Sequence, residues 1–214
     1  MKWAKCNIGA TSEEESGLYF QWGDTQGYTA EQVGDGEGLK AFSWADYKFS
    51  IDGSSSNLSK YNASDSKTVL DPEDDAPHVI MGGNWRMPTF EEYKELCLNT
   101  DIYLVPRDGA EIKGTAEAQG ERLRIHWVSQ TGGLFKGVKF YKKGDKQTYM
   151  FVPFAGRGIN VSVRDIGLLG NFWVPSLSSA GVQFARSFCI NNGQGSIDGN
   201  YRYYGYPVRG VLAQ

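Results

Sequence analysis

Side chains able to do chemistry are concentrated in three places. The first is DPEDD, Asp71–Asp75, where four carboxylates occupy five residues. A calcium ion would recruit about six to eight oxygens of this kind. A solvated turn in which Pro72 bends the chain accounts for the same residues, and the turn is the expectation. The second is a scatter of metal and redox ligands. His78 and His126 stand far apart without Cys or acidic partners at ligand spacing, and Cys6, Cys97 and Cys189 form no CxxC pair. Zinc sites need tighter spacings, so no metal is expected, and the cysteines read as buried apolar residues or free thiols. The third is SIDGNYRYYGYPVRG, residues 196–210, where Tyr201, Tyr203, Tyr204 and Tyr206 fall within six residues.

Enzyme machinery is not legible beyond these. The chain has no GxSxG, and neither histidine sits in a recognisable catalytic setting. The GRG of Gly156–Gly158 lies between expected strands, not between a strand and a helix, so it does not fit a phosphate loop. No two acids have a spacing that converts into a glycosidase separation. The chain is therefore read as a non-enzyme without a cofactor.

The tyrosines carry the functional reading. Tyr203 and Tyr204 are adjacent and on a strand would point to opposite faces. Tyr206 is expected in the core, and Tyr201, Tyr203 and Tyr204 are expected mostly exposed. Exposed Tyr among Ser, Gly and Asn is a paratope-like composition, in which rigid amphipathic rings supply area and small polar residues adapt the hydrogen bonds. Replacing the three rings together with Ala is then expected to leave the melting temperature nearly unchanged.

These residues need a frame. The chain has 214 residues, 14% aromatics, 27 glycines and a net charge of −3, enough for one domain, 1–214, rich in turns. The lack of clustered Lys and Arg argues against nucleic acid, and no apolar run is long enough to insert into a membrane. Met1 is followed by no signal-peptide pattern. Because Trp3 and Cys6 read like the interior of a motif, the chain is expected to begin partway into a longer protein from which an export signal has been removed. Ser12 and Glu15 can form a capping box, predicting a short helix from about Ala10 to Gly17, and Ser43 can cap a single helical turn. The clearest helix is Thr89–Asn99, capped by Thr89 and Glu92, with Phe90, Tyr93, Leu96 and Cys97 on one face. Ser50–Asp65 reads as a surface excursion anchored by Leu58 and Tyr61. Strands are predicted at Ile102–Val105, Leu123–Val128, Val138–Tyr141, Tyr149–Phe154, Gly158–Val163, Phe184–Ile190 and Tyr206–Leu212. Helices first and strands afterwards predict an α+β domain.

GGNWRMPTFEE, Gly82–Glu92, resembles the Trp-Arg-Leu-Pro-Thr-x-x-Glu signature of the formylglycine-generating-enzyme branch of C-type-lectin-like folds. Trp3–Asp24, Leu70–Thr89, FWVPS at Phe172–Ser176 and RYYGYPVRGVL at Arg202–Leu212 are similar, in order, to a domain of gut-bacterial surface proteins in that superfamily. The resemblance implies a C-type-lectin-like fold of two short helices, small antiparallel sheets and much irregular loop, in which Arg202 and Arg209 match arginines expected to pin loops to the scaffold and Trp173 matches a Trp expected in the core. It also raises an oxidase alternative, but that branch uses a pair of nearby cysteines, and only Cys189 lies in the C-terminal half. A structural domain of a surface appendage or phage tail is a further alternative.

The chain is also similar to the variable proteins of diversity-generating retroelements, which scramble adenines, chiefly in Asn codons, within their C-terminal stretch. Such codons do not yield Lys, Glu, Met or Trp, and none of these follows Trp173. Gln183 and Gln194 are not outcomes of that route and must be fixed or scrambled otherwise. The resemblance implies a variable ligand-binding region at 172–212. Its contact residues are expected to be Ser176, Ser178, Ser179, Ser187, Cys189, Ser196, Asp198, Asn200, Tyr201, Tyr203 and Tyr204, with Gly199 a further variable position. The implied partner is a protein or glycan on another cell or host, and the implied setting is a cell surface, a secreted protein or a phage particle.

Overall fold

The computed structural model describes residues 1–120, 122–129, 132–192 and 195–212, and the side chains of 195–198 lie outside that description. From the N-terminus come β1 (Lys2–Trp3), β2 (Tyr19–Phe20), α1 (Ala76–Met81), β3 (Trp85–Arg86) and α2 (Phe90–Asn99). A long β region follows, with β4 (Thr100–Pro106), β5 (Ile112–Gln119), β6 (Arg122–Trp127), β7 (Phe135–Lys142) and β8 (Asp145–Pro153). The chain ends with β9 (Arg157–Ile159), β10 (Ser162–Arg164), β11 (Leu169–Leu177), β12 (Phe184–Asn191), β13 (Gly195–Tyr201), β14 (Tyr206–Pro207) and β15 (Val211–Leu212).

The expected α+β, C-type-lectin-like architecture is corrected to a mostly-β one, with 41% strand against 11% helix in several small antiparallel sheets. The helix expected after Ala10 does not form. The Glu15 carboxylate turns back chiefly on Thr11, accepting from its N–H at 2.7 Å and its hydroxyl at 3.0 Å. Ser43 likewise starts no helical turn and donates to the Asp46 carboxylate at 2.5 Å. Conversely, Ile112–Gln119, Leu169–Leu177 and Gly195–Tyr201 are strands that the sequence did not announce. The single strand expected at Gly158–Val163 is a hairpin, β9–β10, reversed at Asn160 in the left-handed region with φ 51°.

Two sheets organise the molecule. One has five antiparallel strands in the order β6-β5-β4-β7-β8, and the other has three, β11-β12-β13. Helix α2 packs between them because its apolar residues recur at helical spacing. Phe90, Tyr93 and Cys97 are buried, and the Tyr93 ring stacks on Phe188 of β12 at 4.4 Å and 8°. Its N-terminus carries the expected capping box: the Thr89 side chain accepts from the Glu92 N–H at 3.3 Å, and Glu92 accepts from the Thr89 N–H at 2.8 Å. Such a cap is worth about 0.5–2 kcal/mol. Arg86 clamps the same Glu92 with two hydrogen bonds, at 2.8 and 2.5 Å. The two ends of the chain meet where β1 and β3 flank β15.

A second apolar cluster lies beside the first and supports the C-terminal region. It contains Phe20, Trp22, Tyr47, Phe49, Leu58, Tyr61, Trp173 and Tyr206. Leu58 and Tyr61 anchor the Ser50–Asp65 excursion as expected. The indole N–H groups knit this cluster: Trp22 donates to the Val174 carbonyl at 2.9 Å and Trp173 to the Phe20 carbonyl at 2.8 Å. Among the described residues, no helix is long and apolar enough to cross a membrane.

Candidate functional site

The tyrosine-rich segment closes strand β13 and turns back toward β14, with the Tyr204 N–H donating to the Tyr201 carbonyl at 2.9 Å. Beyond the turn, Gly205 pairs with Gly158 through two backbone hydrogen bonds of 2.7 and 2.9 Å. Both glycines lie against the buried ring of Phe42, where a Cβ would come within 2.4 Å at Gly205 and 2.3 Å at Gly158. This contact sets how closely the turn approaches the frame.

Burial alternates sharply within the turn. Tyr201 is 37% exposed, while Arg202 and Tyr206 are fully buried. The Arg202 guanidinium donates to the Tyr47 hydroxyl at 2.8 Å and to the carbonyls of Tyr61 and Val182, both at 3.0 Å, and Lys60 at 3.1 Å. It also lies over the rings of Trp22, Tyr47, Phe49 and Tyr61, 4.9 to 5.8 Å from their centroids. This one side chain therefore ties the turn to the excursion at 60–61 and the loop at 182. Arg209 is equally buried and donates to the Asn7 carboxamide oxygen at 2.9 Å and the Phe151 carbonyl at 2.7 Å. Burial lowers its pKa to about 10. Both arginines have the pinning role expected of them, and Tyr206 and Trp173 are core as expected.

Tyr201, only 37% exposed, and Tyr203 and Tyr204, both half-buried against the second apolar cluster, together correct the expectation of mostly exposed rings. Tyr201 and Tyr203 run nearly parallel, 5.5 Å apart at 18°, and Tyr204 meets Tyr203 edge-on at 4.9 Å. Burial, reinforced by Tyr204, pushes the Tyr203 phenol up to about 12. The patch continues onto residues that the sequence did not single out. Trp44 lies 5.2 Å from Tyr203 and 6.3 Å from Tyr201, and Phe184 lies 4.8 Å from Tyr201. The aromatic run FSWADYKF was visible, but nothing in it pointed to a partner so far along the chain.

The other expected contact residues divide. Ser178, just past the end of β11, lines up with Phe184 of β12 and Tyr201 of β13: the Ser178 N–H donates to the Phe184 carbonyl at 3.0 Å, and Phe184 pairs with Tyr201. Asn200 and exposed Ser179 border this end, and Ser176 sits where Val69 bridges to β11. Ser187 must be corrected. It is fully buried at the centre of β12, where its oxygen accepts from the Asn200 carboxamide at 3.0 Å, so no surface ligand reaches it. Cys189 is also buried and lies five residues along β12 from Phe184, about 17 Å at strand rise. The backbone of Ser196 pairs with Cys189 and that of Asp198 with Ser187; the side chains of both lie outside the described residues.

The acidic run is answered within the chain. The carboxylates of Asp71, Glu73 and Asp74 gather within 4.8 Å of one another. The Lys60 ammonium sits among them, 2.7, 2.9 and 2.5 Å from the three. Lys67 adds a bridge to Asp71 and Lys48 one to Asp74. Burial pushes the Asp74 carboxyl up, but Lys48, Lys60 and Tyr61 outweigh it and hold it below the usual range. A lysine thus stands where a cation would sit. The solvated-turn reading also needs correction, because Asp74 and Asp75 are buried. Asp75 caps α1 through the His78 N–H and accepts from the Met87 N–H. Burial raises its pKa.

A mostly apolar cleft of about 370 Å³ opens elsewhere, between Val69, Leu70, Pro175, His78, Trp85 and Arg86. Its charged side chains are already engaged, Arg86 by Glu92 and Asp75 by backbone N–H groups. The chain matches no protein-family model, no curated protein and no solved structure.

Proposed function

We propose that this chain is a non-enzymatic ligand-binding domain. Its contact surface is the aromatic end formed by Trp44, Phe184, Tyr201, Tyr203 and Tyr204, bordered by Ser178, Ser179 and Asn200. The observation that carries this reading is the contrast inside one turn: Tyr201 stands 37% exposed beside Arg202, which is fully buried and tied to three backbone carbonyls. A fixed frame supporting a partly exposed Tyr beside a half-buried Trp is the arrangement of a binding hot spot. Burial of the thiols also favours binding over an oxidase that would use two accessible, cooperating cysteines, because Cys97 and Cys189 are both buried.

Within this reading, residues 172–212 form a diversified region of the kind found in variable proteins of diversity-generating retroelements. The positions free to vary are those at the aromatic end, whereas Ser187 and Cys189 are held by the core. The coding DNA tests this. A near-identical template repeat that differs only at adenines and lies beside a reverse-transcriptase gene is the expected finding. Its absence would remove diversification and leave an ordinary binding surface.

A further inference from the structure

A second surface, independent of the aromatic end, lies where the segment 68–70 meets β11. We propose that this segment and the apolar cleft beside it bind an extended peptide segment of another protein by strand addition, with an uncharged, apolar side chain of that segment seated in the cleft.

Backbone pairing is the first support. The segment joins the end of β11 through the Leu70 N–H to the Pro175 carbonyl at 2.9 Å and the Leu177 N–H to the Thr68 carbonyl at 2.8 Å. These two bonds flank the antiparallel bridge between Val69 and Ser176. A residue flanked in this way turns its own N–H and C=O away from its partner strand. The Val69 N–H and C=O therefore face outward, and neither makes a hydrogen bond among the described residues. One donor and one acceptor on the same residue are what an added strand pairs with, at about 4.8 Å. The Val69 side chain does nothing to blunt the edge, since it is apolar and 53% exposed, where edges are ordinarily protected by charge or proline. Pro72 ends the edge three residues on, so the paired stretch is short.

The cleft is the second. Val69, Leu70 and Pro72 line it from the edge segment, Pro175 from β11 and Trp85 from β3. Its 370 Å³ is near the floor of the range for ligand pockets, about 300–1,000 Å³, which suits a side chain or two better than a large cofactor. In strand addition the main chain supplies affinity, and a pocket of this kind beside the edge supplies selection. Helix α1, which lends His78 to the cleft, also leaves Val79, Ile80 and Met81 exposed, and these extend the apolar surface for residues flanking the anchor.

Charge decides which side chain fits. Arg86 is held by Glu92 through two hydrogen bonds, and both oxygens of buried Asp75 accept from the Met87 N–H, one of them from the His78 N–H as well. The His78 Nδ1 faces the Trp85 carbonyl at 3.3 Å. A charged side chain entering the cleft would lose water without gaining a free counter-charge, so the anchor is Leu-like or Phe-like.

The test uses the whole chain, labelled with ¹⁵N, and capped hexapeptides acetyl-Ser-Thr-Thr-X-Thr-Ser-amide in which X is Leu, Phe, Asp or Lys. The Leu and Phe peptides should shift the amide signals of Val69, Leu70 and Trp85 saturably, and the Asp and Lys peptides should bind about tenfold more weakly or worse. Val69→Pro removes the outward donor but keeps both bonds to β11. It should weaken binding about tenfold or more with an unchanged urea midpoint, because proline is tolerated on the open side of an edge strand. Val69→Thr, which keeps the N–H, should bind like the native chain, and so should Tyr201→Ala. Should Val69→Pro fail to fold, N-methylation along the Leu peptide replaces it: at least one position should abolish binding, and indifference at every position would overturn strand addition. Binding of the neutral probe N-phenyl-1-naphthylamine at Trp85 while all four peptides fail would overturn the peptide in favour of a small apolar molecule. Self-association that Val69→Pro reverses, seen by light scattering, would overturn it in favour of a second copy of the chain. Peptide-induced shifts at Tyr201 and Tyr203 instead of Val69 would overturn this site and leave the binding role of the aromatic end standing.

Discussion

Arg202→Met tests whether the turn is held by the frame. Methionine approximates the length of arginine but removes every donor. The carbonyl of Tyr61 and the hydroxyl of Tyr47 are buried and would each lose a partner, while the carbonyls of Lys60 and Val182 lie partly open and can recruit water. The Tyr47 hydroxyl keeps its bond to the Trp22 carbonyl at 2.8 Å, so only the Tyr61 carbonyl is left without this partner in an enclosed site, at about 1–3 kcal/mol, and the lost Tyr47 bond adds about 1 kcal/mol. Lost contact with four aromatic rings adds to this. Relief from burying a guanidinium without a carboxylate partner subtracts from it. The net expectation is a loss of about 3–4 kcal/mol, which at this size lowers the melting temperature by about 6–16 °C. Urea denaturation should show a lower midpoint with an unchanged slope. Arg202→Lys should recover little, because a single ammonium cannot reach three carbonyls that diverge from a planar fork. A loss below about 1 kcal/mol, within the range of an ordinary surface change, would refute the reasoning, since the turn would then be held by something other than Arg202.

Three further outcomes follow from the same coordinates. Tyr203 and Tyr204 are half-buried, so replacing both with Ala should cost about 3–5 kcal/mol, roughly half the loss for two fully buried rings; chemical denaturation reads this directly. Gly205→Ala drives a Cβ to 2.4 Å from the enclosed Phe42 ring and should destabilise by about 1–3 kcal/mol, the usual range for overpacking, with a calorimetric melt as the check. Burial raises the Glu92 pKa, but Arg86 and the Thr89 N–H outweigh that and hold it below its ordinary 4.5. The folded state therefore binds fewer protons than the unfolded one in this window, so the contribution of Glu92 is complete above pH 4.5 and is lost as pH falls through the folded value. Acid melts of the native chain should show this loss, and Glu92→Gln should flatten it.

Local signals were legible where the partner lies close in sequence. The Thr89 and Glu92 box was readable because both halves of the cap lie within one turn of helix. Tyr206 as core and the two pinning arginines followed from the resemblance and from the adjacency of exposed and enclosed rings. Long-range outcomes were not legible. Ile112–Gln119 carries Gly, Ala, Lys and Glu, which have little preference for strand, and it becomes one because β4 and β6 pair with it on both sides. The helix after Ala10 failed because Glu15 reaches Thr11 instead of a helical N–H. Ser187 reads as a small polar residue suited to a surface, yet β11 and β13 enclose it on both flanks. Trp44 joins the aromatic end only through tertiary packing, and no periodicity could have linked it to Tyr203.

The most direct test of a fixed frame carrying interchangeable contacts is saturation mutagenesis of residues 176–206 on a display platform, selected by resistance to protease. Broad tolerance is expected at Ser178, Ser179 and Tyr201, and near-intolerance at Ser187, Arg202, Gly205 and Tyr206. Equal tolerance across the two groups, or intolerance at Tyr201 matching that at Tyr206, would contradict the account.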